Sequence, residues 1–253
     1  MKGKRMKEII LRAEVANKKQ LEQAVQNFDL QYIYAPLDLL DESTPDKYRI
    51  IAVPPLFLGD CEEKVQERLI RLKAQGFDRA LAHTAGHISL IQAAGLKVHG
   101  GFRLNITNSV SQNFYEENGL ENATLSFELT VDEAEKISHK IPVGLIAYGK
   151  LPLMVTRRCP IKNGPPCNNG KSCGKTITDR KGNSLSVICS NTVEVLNPDT
   201  LILSDKIRDF ISFDFLILKF TVEDDVDKVV EMYLNSGKPN GNITRGLYYR
   251  GVE

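Results

Sequence analysis

The chain has 253 residues, of which 42% are hydrophobic and 26% charged, with a formal net charge of +1. That length buries a full core as one large α/β domain or two small ones, and the near-neutral balance excludes an overall basic field for nucleic acid, leaving at most a local patch. No apolar run approaches the length of a membrane span, and the basic start MKGKRMKEIILRAEV lacks a signal peptide's long apolar stretch and cleavage site; no membrane partner is expected, the thiols are expected to stay reduced, and the compartment reads as cytoplasm.

Short apolar runs alternate with amphipathic ones along the chain. Glu8 to Val15 predicts a first strand, and Asn17 the N-cap of a first helix. Tyr32 to Leu37 is a second strand followed by a weak helical segment, and Tyr48 to Val53 a third, stopped by Pro54-Pro55. The spacing of Val65, Leu69, Ile70 and Leu72 predicts a helix over 62–75. Strands then follow at Arg79 to His83, Lys97 to Phe102, Thr124 to Glu128 and Val143 to Tyr148. Helices fall between them, at 88–94, 109–118 and 132–139. Phe213 to Phe220 supplies an eighth strand, and Asp224 to Leu234 the last helix.

This rhythm implies parallel βαβ units and an α/β fold, an irregular (β/α)8 TIM-barrel-like domain with a cysteine-rich insertion after the seventh strand. An open doubly wound sheet is the rival; no glycine-rich phosphate fingerprint follows the first strand. The expected division is a barrel-like domain over 1–236, its insertion over 156–204, and a loop-like tail over 237–253.

The insertion holds four of the five cysteines, as C-x7-C-x5-C-x15-C at Cys159, Cys167, Cys173 and Cys189. Prolines, glycines, asparagines and cations surround them, a composition too poor in apolar residues to form a core of its own; Ser184 to Ile188 and Thr192 to Val195 alternate like a small hairpin. Four thiolates on one centre, zinc or an iron–sulfur cluster, would hold such a loop. Arg157, Arg158, Lys162, Lys171 and Lys175 would favour the deprotonated ligands. Two disulfides, or four reduced thiols without a metal, are the alternatives. Cys61 belongs to a different connection and reads as a helix-start thiol.

In a barrel, chemistry gathers at the C-terminal ends of the strands. Those ends carry Glu14, His83, His99, Arg103, Glu128, Tyr148 and Lys219, with Asn105 and Asn108 just beyond. Glu14 and Lys219 read as a paired charge within the barrel wall or as functional groups. His83 and His87, spaced H-x3-H without a glutamate, read as capping or core histidines. His99, opening HGGFRLN, is the preferred histidine; with Arg103 to clamp an anion and Tyr148 to move a proton it forms the candidate catalytic set. Asn105, Asn108, Glu128 and Arg245 are candidate substrate-binding residues. Arg245, Tyr248, Tyr249 and Arg250 either stack on bases or pack the tail against the barrel rim. No G-x-S-x-G elbow and no nucleophile–base pattern is present, so peptidase activity is expected to be negligible.

The run YGKLPLMVTRRCP from Tyr148, the later Asp179-Arg180-Lys181-Gly182, the tail TRGLYYRG from Thr244, and HGGFRLNITNS from His99 together resemble peptidase family U-32, the collagenase-like proteases. The likeness covers nearly the whole chain and points to the C-terminal barrel-like portion of the long-form members. It implies a cysteine-bound 4Fe-4S cluster, zinc being the alternative, with Cys159, Cys167, Cys173 and Cys189 as ligands. Their spacing departs from relatives in which one or two cysteines lie farther along. It also implies hydroxylation of RNA bases or of a small aromatic ring, with RNA, such a ring, or another barrel domain of the family as partner. A hydrolytic peptidase with a structural metal, and a non-catalytic binding module of a larger protein, are the other functional classes.

Overall fold

The computed structural model describes residues 9–162, 172–189 and 192–251, with the backbone alone for 172–175. Its first strand, β1 (Ile10–Glu14), shows the rule that builds the rest: Leu11 and Ala13 face an outer apolar layer, while Arg12 and Glu14 on the alternate positions face inward. Helix α1 (Lys18–Gln26) starts where Asn17 accepts a hydrogen bond from the Gln20 N–H. Strands β2 (Leu30–Pro36) and β3 (Ile50–Val53) are joined by only a short helical turn at Leu37–Leu39, so the second unit is irregular as expected. Then come α2 (Glu62–Ala74), β4 (Arg79–Ala82), α3 (Ala85–Ala93), β5 (Lys97–Gly100), α4 (Ser109–Glu117), β6 (Leu120–Thr124), α5 (Val131–Glu135) and β7 (Val143–Gly149).

Beyond β7 the chain forms β8 (Pro152–Thr156), β9 (Ser172–Thr178), β10 (Ser184–Cys189) and β11 (Val193–Leu196), a separate antiparallel sheet in the order β8-β11-β10-β9. Short β12 (Thr200–Ile202) leads back to β13 (Phe215–Lys219), α6 (Val226–Leu234) and β14 (Ile243–Thr244). Strand β13 pairs in parallel with both β1 and β7, which closes β1 through β7 and β13 into an eight-stranded parallel barrel. The expected (β/α)8 architecture is therefore present, and the doubly wound alternative is not.

Two cores follow from the alternation. Between strands and helices lies a continuous layer that includes Leu30, Ile33, Leu69, Leu72 and Ile91. Each such side chain contributes about 1.5–3 kcal/mol on burial. Inside the barrel Tyr34, Ile51, Leu81, Phe215 and Ile217 form a smaller plug. Polar groups lie beside this plug and must be paired there. Arg12 donates to Gln31 Oε1 at 2.8 Å, to Tyr34 OH at 3.0 Å and to Asn122 Oδ1 at 3.2 Å, with its guanidinium 3.5 Å from the centre of the Phe215 ring.

Three expectations need correction. The sixth strand is Leu120–Thr124, not Thr124 to Glu128: Gly119 ends α4 and the chain turns straight into the sheet. The alternating residues after Thr124 are diverted because the Ser126 N–H bonds to the Ile106 carbonyl and the Ser126 hydroxyl to Asn105. The cysteine-rich segment does have a core of its own, in which Val187, Val193 and Val195 pack with Cys159 and Cys189. Composition missed it because the apolar side chains come from two strands that meet only after pairing, Val187 opposite Val195 and Cys189 opposite Val193. The tail is not wholly loop: β14 pairs with β12, and Tyr248 is buried with its hydroxyl on the Ile146 carbonyl.

Candidate functional site at the barrel mouth

The antiparallel sheet lies over the C-terminal ends of the barrel strands and is tied down by an ion pair between Arg103, after β5, and Glu194 on β11, at 2.6 Å. Beneath it is a cavity of about 160 Å³ whose walls include Val15, Val53, Pro54 and Phe220. Its polar lining includes Glu14, His83, Arg103, Lys219 and Glu194, with Asp38 also at the wall, and Cys189 of the sheet forms part of it. Residues from β1, β13 and the β4 and β5 connections meet here because a parallel barrel brings all its C-terminal strand ends to one rim.

Lys219 and Glu14 form a buried pair at 2.5 Å. Burial would push the Lys219 ammonium down, but the facing carboxylates of Glu14 and Glu194 outweigh it and raise the group above the ordinary lysine range. The His83 imidazole is held well below the usual histidine range by burial first, then by the charges of Arg103 and Lys219, so it is neutral at pH 7. Its ring stands edge-on to Phe102, with centroids 5.7 Å apart. The backbone N–H of His83 donates to Nδ1 of His87 at 3.3 Å, a capping role for the second histidine of the H-x3-H pair.

The paired glycines of HGGFRLN have a physical purpose. A Cβ on Gly101 would come within 2.6 Å of His83 Nδ1 and 3.1 Å of the Ala82 carbonyl. Gly101→Ala is therefore expected to displace the imidazole and to cost about 1–3 kcal/mol through overpacking. Urea denaturation gives the stability, and a shifted His83 ring resonance in NMR would show the displacement; an unmoved ring with unchanged stability would contradict it.

Of the two buried sheet cysteines, Cys159 and Cys189 both carry reduced thiols, and their side chains lie within hydrogen-bonding reach of each other. The Cys159 thiol is held below the usual thiol range, chiefly by the Lys162 backbone N–H and also by that of Ile161. On β9, Ser172 pairs with Ile188, which places the Cys173 backbone on the strand beside Cys189. Cys167 lies outside the described residues, and among those described no group of three or more histidine, cysteine or acidic side chains converges on one point. Cys61 is exposed just before α2, apart from this sheet.

The other predicted site residues sit elsewhere. His99 is buried inside the barrel on the side of the N-terminal strand ends, 3.2 Å from Tyr34 OH, and does not line the mouth cavity. Burial, with Arg12, Arg79 and Lys97 nearby, keeps it neutral. Tyr148 is buried in the outer layer against Phe220 and Tyr233. An irregularity in the β7–β13 ladder sets Tyr148 opposite Leu218, and burial raises its phenol. Asn105 closes a helical turn at φ 52° and accepts from the Ser126 hydroxyl, while Asn108 caps α4 by accepting from the Ser111 N–H. Glu128 is exposed in the turn after β6. Arg245 is engaged by Asp205 at 2.6 and 2.9 Å and by the Ile202 carbonyl, fastening the tail to the body of the protein. Glu194 was not among the predicted site residues; its only sequence signal is its alternate position in VEVL, which turns it away from the valines of the sheet core.

A closed parallel barrel with a thiol-bearing sheet over its mouth and buried charges beneath defines a class of α/β barrel proteins whose site is covered by an insertion. Within that class the sequence model of Peptidase family U32 matches residues 22–233, and the chain belongs to that family. A solved structure described as the U32 peptidase Mk0906 aligns with a TM-score of 0.49 and 10% identity, covering 88% of this chain and 97% of that one. No curated protein matches the chain. Among the described residues, no helix is long and apolar enough to cross a membrane.

Proposed function

We propose that the mouth cavity is the active site of a cysteine-liganded metal enzyme that modifies a single aromatic ring, with hydroxylation of an RNA base or a small aromatic substrate as the reaction and a 4Fe-4S cluster as the centre. The observation that carries this reading is the position of Cys189: its thiol meets Cys159 in the core of the sheet, and the same residue forms part of the cavity wall. The donor set fits such a group. Two buried thiols converge, backbone N–H groups of Lys162 and Ile161 bond to one of the sulfurs, and a third cysteine belongs to the adjacent strand. Cys159, Cys189, Cys173 and Cys167 would hold the centre. When bound, a cluster supplies one-electron chemistry at the edge of the cavity; zinc in the same place would serve to hold the sheet.

The chain's own groups give the substrate its setting. A volume near 160 Å³ suits one flat ring, since an apolar cavity of about 150 Å³ takes benzene, and it is too small for an extended peptide. The sheet covers the site, and Arg103, held by Glu194, offers its remaining N–H groups to an anionic or carbonyl oxygen at the rim. Proteolysis finds less support, because the one histidine of the cavity has an unpartnered Nδ1 and no hydroxyl or thiol bonded to its ring among the described residues. The partners implied are an RNA presenting an unstacked base or a free ring compound, and another barrel domain of the family; reduced thiols suit the cytoplasm.

Anaerobic purification followed by iron and sulfide analysis and visible spectroscopy tests the centre. Brown protein with stoichiometric iron and sulfide is expected. Colourless protein carrying zinc would replace the cluster by a structural metal. Gelatin turnover abolished by a single cavity substitution would move the activity to peptide hydrolysis.

A further inference from the structure

The antiparallel sheet over the mouth is a body of its own. Its four strands pair only with one another, and among the described residues its buried apolar side chains form a cluster separate from the barrel's. The chain enters the sheet after β7 and leaves it before β12, and the two crossings run side by side. The Asn197 N–H donates to the Leu151 carbonyl at 2.8 Å and Lys150 Nζ to the Pro198 carbonyl at 2.7 Å, while Leu201 pairs with Gly149. Gly149 gives this neck its bend: at φ 119° it holds a conformation that L side chains rarely adopt, and a Cβ there would collide with the Lys219 carbonyl.

Beyond the neck, charged groups fasten the sheet to the barrel. Glu194 accepts from Arg103 at 2.6 Å and also faces Lys219. Arg157 lays its guanidinium over the ring of Phe57, in the connection after β3, 4.9 Å from the ring centre. A body with its own core, joined by one neck and held elsewhere by polar contacts, moves relative to its neighbour by default. We propose that the sheet is a hinged lid: it swings as one unit about the neck at 149–151 and 196–199, and Glu194 is the latch that holds it shut against the barrel. Such a lid governs entry whatever chemistry the cavity performs. Cys189, Thr192 and Glu194 of the sheet line the same cavity as Val15, Val53 and Phe220 of the barrel, so parting the two bodies opens it. Lifting the lid leaves the packing of Val187, Val193 and Val195 intact, because those side chains contact one another within the sheet.

A thiol placed on the barrel wall of the cavity reads the opening. Val15 is buried there, and Val15→Cys introduces a small probe away from the sheet. Methyl methanethiosulfonate is the reagent, and peptide mass spectrometry assigns the labelled position, so the native cysteines do not interfere. Exposed Cys61 is the internal reference for an open thiol. With the latch intact, position 15 is expected to react far more slowly than Cys61. Glu194→Gln should speed it on the order of tenfold or more, the worth of a hydrogen bond between charged groups. Amides of β10 and β11 should keep their protection in hydrogen exchange, since the lid lifts without unfolding. Arg103→Gln should act in the same direction and replaces the first variant if that one fails to fold. Labelling at position 15 as fast as at Cys61 with the latch intact overturns the proposal, as does a rate indifferent to both substitutions. A faster rate accompanied by lost β10 and β11 protection overturns it too, because the sheet would then be unravelling rather than swinging. Iron content of the same samples tests the cluster separately, so the lid and the proposed centre stand or fall independently.

Discussion

Cys159→Ser and Cys189→Ser are each expected to lose bound metal, with affinity falling roughly 100-fold or more, while Cys61→Ser keeps the native content. The two buried thiols touch in the sheet core, and the backbone N–H of Lys162 already favours the thiolate of Cys159. A serine hydroxyl in that place stays protonated and is a harder, poorer ligand for iron or zinc. Cys61 is exposed in another connection and has no part in the sheet. The barrel should survive in all three variants, because its strands and outer apolar layer do not include these residues. Metal analysis of anaerobically purified variants, with circular dichroism for the barrel, decides the matter; full metal content in both buried-cysteine variants would end the proposal of a thiolate-held centre. The valine core implies a further outcome. The sheet should keep part of its order without metal, seen as protected amides on β10 and β11 in hydrogen exchange, since Val187, Val193 and Val195 remain packed.

Lys219→Ala is expected to destabilise the protein by about 3–5 kcal/mol at pH 7, because it leaves the buried Glu14 carboxylate facing no cation at 2.5 Å. Replacing both partners by neutral residues of similar shape, Glu14→Gln with Lys219→Met, should recover most of that loss, since the desolvation of two charges disappears with the pair. The pH dependence follows from the direction of the lysine shift. The folded-state group titrates above its unfolded value, so its contribution is fully present at neutral pH and below, and is lost only as pH rises past the ordinary lysine range. Urea denaturation of the native protein, both single variants and the double variant, at neutral and alkaline pH, measures this. A loss under about 1 kcal/mol for Lys219→Ala would place the pair among solvent-screened surface bridges.

The barrel was legible because its signal is local. Eight apolar runs at near-regular intervals, the Asn17 cap, and the prolines after β3 each act within a few residues, and the structure keeps them. The one misplaced strand, β6, sits where alternation continued past the point at which Ser126 turns the chain, a tertiary hydrogen bond that alternation does not report. The site was legible in part for the same reason. Strand-end positions picked out Glu14, His83, Arg103 and Lys219, which the structure gathers at one cavity. Alternation along a strand does not report depth in the barrel, so it does not separate His99, which lies inside the barrel at the other end, from His83 at the mouth.

The sequence by itself determined the strand–helix order, the Asn17 helix cap, the family and the presence of four cysteines in one segment, because all of these are properties of neighbours along the chain. Tertiary structure decided which residues share the mouth. Cys189, Glu194 and Lys219 lie far along the chain from Glu14 and His83, and they meet only when β13 closes the barrel and the antiparallel sheet folds over it. It also decided which histidine lines the mouth, since the neutrality of His83 and the space for its ring come from burial and from Arg103, Lys219 and Gly101 brought around it in the folded state. Pairing, burial and ladder register are long-range quantities, and a one-residue irregularity such as that beside Tyr148 is enough to turn a side chain from the cavity to the outer layer.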